Sequence, residues 1–138
     1  MSAEILLSRL EKVRRTGPGR WLARCPAHGD RGPSLSIREL DNQRILVHDF
    51  GGCTVEAVLA AVNLQFSDLF PEQAEPATAG RERIPFPAAD ILRAVAFEAL
   101  VVSCAAGKLA AGEDLSKADR ERLAVAAERL QGAVEWVR

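Results

Sequence analysis

"CPAHGDRGPSLSIRELDNQRILVHDFGGC", residues 25–53, decides the fold of this chain. Cys25 and His28 stand in ligand spacing at one end, directly after the apolar stretch "RWLARC". At the other end Cys53 follows Gly51-Gly52, with Asp49 and His48 just before that turn. Between the two ends "SLSIREL" alternates apolar and polar residues, "DNQ" has hairpin-turn composition, and "RILVHDF" reads as the returning strand. Tetrahedral metal sites are usually assembled from such ligand pairs in tight turns. The pattern predicts a zinc-ribbon-like three-stranded antiparallel sheet with both turns at the same end. The residues alone leave two matters open. Cys25 and Cys53 also fit buried thiols beside a surface histidine. If a metal is bound, either Asp49 or His48 can be the ligand before Gly51, and on an alternating strand the two point to opposite faces.

Outward from this segment the chain reads as α+β. Ser2 suits the cap of a first helix, with Ile5, Leu6, Leu10 and Val13 at helical spacing and "RRTGPG" as its stop. After Cys53, "TVEAVLAAVNL" predicts an amphipathic helix capped by Thr54, with Val55, Val58, Leu59 and Val62 on one face. "QFSDLFP" follows as a short helical turn, closing a first domain over residues 1–70. Residues 71–87 change to Pro, Glu, Ala and Arg without periodicity and read as a linker. An Ala-rich helical hairpin is expected over residues 88–138, with helices at about 88–110 and 117–137. Ile91, Val95, Ala99 and Val102 line one side of its first helix. Leu123, Ala127, Leu130, Val134 and Val137 line the second, and Ser116 caps it. Cys104, in mid-helix, is expected to be a buried thiol.

The 138 residues are 48% hydrophobic and 27% charged, enough apolar content for a real core. No apolar run approaches the roughly 20 residues of a membrane span, and the N-terminus does not have the form of a signal peptide. A cytoplasmic location without membrane partners is therefore expected. Three cysteines without secretory context argue against a disulfide framework. The net charge of −1 argues against purely electrostatic nucleic-acid binding, but it hides a gradient. Residues 1–44 carry nine Lys/Arg against five Asp/Glu, whereas residues 71–138 carry nine against eleven.

"CPAHGDRGPSLSI", "ILVHDFGGC" and the following helix "TVEAVLAAVNL" together resemble the N-terminal zinc-binding domain of bacterial and phage DNA primases. The match covers roughly residues 20–65 and rests on Cys25, Pro26, His28, Pro33, Ser34, Phe50, Gly52 and Cys53. Asp49 stands where that family has a cysteine, which makes Asp49 the expected fourth ligand in place of His48. The resemblance implies a bound Zn2+ held by Cys25, His28, Asp49 and Cys53. Carboxylate oxygen is an allowed but harder zinc ligand than thiolate.

The same resemblance implies contact with single-stranded DNA, in replication of a phage or mobile element, with a primase catalytic or helicase protein as further partner. Arg20, Arg24, Arg38, Arg44 and His48 lie on or beside predicted strands where they can share a polar sheet face. Trp21 and Phe50 are available for base stacking, although in a chain with so few aromatics both are more often core residues. Primer synthesis needs clustered carboxylates holding divalent cations. The acids after Pro71 are scattered over Ala-rich helices, so this chain is not expected to be an enzyme by itself. The competing expectation is a protein-interaction adaptor, with a degenerate or purely structural metal site and a helical hairpin that docks a partner or forms a homodimer.

Overall fold

The structure, a computed structural model, describes residues 2–29, 32–70 and 86–137. Its elements run α1 (Ser2–Leu7), β1 (Glu11–Gly17), β2 (Arg20–Arg24), β3 (Leu35–Glu39), β4 (Ile45–Asp49), α2 (Val55–Ala61), α3 (Ala88–Ala110) and α4 (Lys117–Glu135). The class is α+β, but the sheet has four antiparallel strands in the order β1-β2-β3-β4, not three. The additional strand is "EKVRRTG", part of which the helical spacing had assigned to the first helix. That helix stops at Leu7, and Leu10 packs on the core while Val13 is exposed on β1. Pro18-Gly19 is the reason. Gly17 and Arg20 pair across it, and Gly19 takes a φ of +66°, as a Pro-Gly turn requires. The dipeptide joins two strands; it does not end a helix.

Register assigns the faces. Arg20 pairs with Arg38, Leu22 with Ser36, Ser36 with His48, and Arg38 with Leu46, so these residues share one face. Trp21, Ala23, Leu35, Ile37, Ile45, Val47 and Asp49 share the other. This second face packs on α1 and α2 through Leu6, Val58, Leu59 and Val62. Helix α2 begins as its sequence predicts, with Ala57 N–H donating to Thr54 Oγ1 at 3.2 Å. The 3-10 turn at Phe66–Leu69 is fixed by Gln65 N–H donating to Asp68 Oδ2 at 2.7 Å.

The first face is covered by the C-terminal helices. Leu22, Leu46 and Phe50 meet Phe86, Ile91, Ala94, Val95, Leu130, Ala133 and Trp136 in a second core. Helices α3 and α4 are antiparallel, as the ion pairs Lys108–Asp119 and Glu98–Arg129 require. Ser116 caps α4, accepting from Asp119 N–H at 3.1 Å. The buried stripe of α4 differs from the expected one: Ala126 and Ala133 are buried, while Val134 and Val137 are exposed. Of the expected stripe, Leu130 reaches the second core and Leu123 and Ala127 are half-buried. Cys104 faces solvent, contrary to the expected buried thiol, because Ala105 takes the inward position beside it.

Asp90, 2% exposed, pins the start of α3 to the first hairpin. It accepts from Thr16 Oγ1 at 2.9 Å and pairs with Arg93 at 3.1 Å and Arg20 at 3.7 Å. The expected linker lies outside the described residues over 71–85; its Phe86 is a core residue against Phe50 and Trp136.

Candidate metal centre

Cys25 follows the last residue of β2, and Asp49 ends β4, so the sheet itself delivers two of the four predicted ligands to one end. The turn after Cys25 returns His28, and the Gly51-Gly52 turn returns Cys53. The ligand atoms of Cys25, His28, Asp49 and Cys53 all lie within 4.8 Å of one another. His28 Nδ1 is 3.0 Å from Cys53 Sγ and 3.4 Å from Asp49 Oδ2. The corners of a tetrahedron around an ion with bonds of about 2.0–2.3 Å lie about 3.3–3.8 Å apart. The cluster has the size and the donors to hold a metal ion. His48 is not part of it; it lies on the opposite face, as strand alternation demands, with its ring 4.2 Å from that of Trp136 and 4.5 Å from that of Phe50.

Asp49 is the best-held member. Its carboxylate is fully buried, and it accepts hydrogen bonds from Ser34 Oγ at 2.7 Å, Gly51 N–H at 3.0 Å and Cys53 N–H at 3.0 Å. Burial pushes its pKa up, but the hydrogen bonds from Ser34, Gly51 and Cys53 and the charge of His28 outweigh burial and hold it below the ordinary carboxylate value. Burial pushes the thiols of Cys25 and Cys53 up, with the neighbouring Asp49 adding to both. Such thiols stay protonated without a metal and lose their protons to one.

Gly51 is required by close approach. A Cβ there would sit 2.6 Å from His28 Cε1 and 2.8 Å from His28 Nε2. Gly52 is required by its φ of +98°. Ser34 had only its place in the motif to mark it; its bond to Asp49 is a part that the sequence did not announce.

The predicted DNA-contacting residues fall differently. Arg20, Arg38 and His48 do share a face, but α3 and α4 cover it: Arg20 pairs with Asp90, and His48 packs under Trp136. Arg24 pairs with Glu11 at 3.7 Å, and the Arg44 guanidinium sits 5.1 Å from the Phe70 ring centre. Trp21 packs on the first core, and Phe50, 4% exposed, belongs to the second, so Phe50 is not placed for stacking on DNA. Lys12, Arg14 and Arg15 on the edge strand β1 are among the exposed basic residues. Among the described residues no helix is long and apolar enough to cross a membrane. No family model matches this chain, and no curated protein or solved structure matches it.

Proposed function

We propose that this chain is a primase-like zinc-binding module that binds single-stranded DNA and has no catalytic activity by itself. The observation that carries the reading is the convergence of Cys25, His28, Asp49 and Cys53 within 4.8 Å at one end of an antiparallel sheet. Two thiolates and an imidazole favour zinc over the hard ions magnesium and calcium, and four protein ligands fill a tetrahedron. A zinc so enclosed organises the two turns and leaves no position for a reacting water. The exposed Lys12, Arg14 and Arg15 along β1 supply an electrostatic track for a phosphate backbone.

Protein purified without a metal-affinity tag should contain close to one zinc per chain by elemental analysis. It should bind labelled single-stranded DNA with an affinity that falls as salt rises. Replacing Lys12, Arg14 and Arg15 by glutamate should weaken binding and flatten the salt dependence, each lost phosphate contact removing about 0.7 from the log–log slope. No binding at low salt, with zinc present, would reject the DNA reading. The adaptor reading is favoured by one observation, the exposure of Leu92 (64%) and Leu100 (63%) on the outer side of α3. Sedimentation that detects a dimer abolished by Leu92→Glu and Leu100→Glu would select it.

A further inference from the structure

Helix α4 does not close flush against the metal turn. Between them lies a cleft of about 470 Å3, lined among others by His48, Gly52, Cys53, Glu128, Gly132 and Trp136. We propose that this cleft receives one unstacked base of the bound strand, an inference that rests on the single-stranded DNA reading above. Its volume is of the order that a nucleobase with surrounding water needs, and small-ligand sites are of this size. Trp136 lines the cleft with His48, the two rings packed on each other at 4.2 Å, and a base would meet the part of the indole left outside that contact, aromatic surface that holds bases irrespective of sequence.

The polar lining selects the base over the phosphate. Arg129 reaches the cleft but is committed to Glu98 at 2.8 Å. The carboxylate of Glu128 repels phosphate oxygens while accepting from the N–H groups on a base edge. The floor is kept bare by glycine. Gly132 sits in the interior of α4, where glycine weakens a helix, yet a Cβ there would meet nothing within 4 Å. No internal contact calls for a glycine at this point, and a larger side chain would project into the cleft.

The test compares the unaltered protein with Gly132→Leu and Gly107→Leu by anisotropy of a labelled mixed-sequence single-stranded oligonucleotide. Zinc content and melting temperature are recorded for each. Gly107, on α3, also has open space around it but lies outside the cleft, so its substitution reports any effect of an added leucine as such. Leucine favours helix at both positions, so folding is retained. The expected result is a roughly tenfold or greater loss of affinity for Gly132→Leu, with zinc content unchanged and Gly107→Leu like the parent. Quenching of tryptophan fluorescence on DNA addition should be lost in the same variant. Equal affinity in all three proteins would overturn the cleft and leave the DNA reading standing. No binding by the unaltered protein would overturn both.

Discussion

Ser34 Oγ donates to Asp49 Oδ1 at 2.7 Å, tying the start of β3 to the end of β4 across the metal turn. The bond fixes the orientation of the carboxylate and helps keep it ionised. Ser34→Ala should leave the fold intact and weaken metal binding about tenfold, the lower end of what outer-shell partners contribute. Competition against a chromophoric chelator measures this directly. An unchanged affinity would mean that the two backbone donors, Gly51 and Cys53, orient Asp49 without help.

Asp49→Asn and Asp49→Cys separate charge from shape. Asparagine keeps the volume but cannot supply an anionic ligand, and metal should be lost to a chelator that leaves the parent loaded. Cysteine restores a soft ligand of similar reach and should hold zinc more tightly than the parent. Tight binding by both variants would show that Asp49 stands beside the ion and does not ligate it.

Metal uptake should release protons. Burial keeps the Cys25 and Cys53 thiols protonated near neutral pH, whereas Asp49 is already ionised. Each ion bound therefore displaces about two protons, and affinity rises with pH by about a hundredfold per unit below the thiol range. Calorimetry in two buffers of different ionisation enthalpy counts these protons. A value near one would remove one of the cysteines from the ligand set.

Gly51→Ala tests the packing of the turn. The new methyl would press on the His28 ring at 2.6 Å and approach Asp49 Oδ1 at 3.1 Å. His28 must move out of the cluster, so metal affinity should fall by at least about tenfold while the two cores persist. Near-ultraviolet circular dichroism of the tryptophans, read beside zinc content, distinguishes that outcome from general unfolding.

Glu98 links the two C-terminal helices, with Arg122 and Arg129 each at 2.8 Å. Burial pushes its pKa up, but the two arginines outweigh burial and hold it below the ordinary value of 4.5. A depressed folded pKa gives stability that is present above the ordinary glutamate range and is lost as pH falls through the depressed value. Glu98→Gln should cost about 2 kcal/mol at pH 7, less than the ~3–5 kcal/mol of fully buried pairs because both arginines keep some solvent. The difference in stability between parent and variant should shrink towards pH 3, as thermal melts across that range would record.

The strands β2, β3 and β4, the caps at Thr54 and Ser116, and the four clustered side chains are legible in the sequence because each rests on local chemistry. Alternation, turn composition and ligand spacing all act within a few residues. What was not legible depends on distant partners. Strand β1 is highly charged and has only Val13 as an apolar residue, so nothing in its own pattern distinguishes it from a solvated helix face. It is a strand because β2 lies across Pro18-Gly19. Register puts Arg20, Arg38 and His48 on one face, but whether a sheet face is bare depends on where a hairpin some forty residues away comes to rest. His48 carried the same ambiguity: alternation placed it opposite Asp49, and Phe50 with the distant Trp136 determines what it meets there.

A sheet in a small metal-binding ribbon has water on one side and leans on its ion to stay folded. Here the strands are held from both sides, by α1 and α2 on one face and by α3 and α4 on the other. An ion in the cluster would then be one fastening among several and not the keystone. Carboxylate is a harder ligand than thiolate, so Asp49 would loosen the grip on a soft metal without threatening the architecture around it. A metal ion held by Cys25, His28, Asp49 and Cys53 would therefore add to a fold that both helical layers already support, and its loss would leave that fold standing.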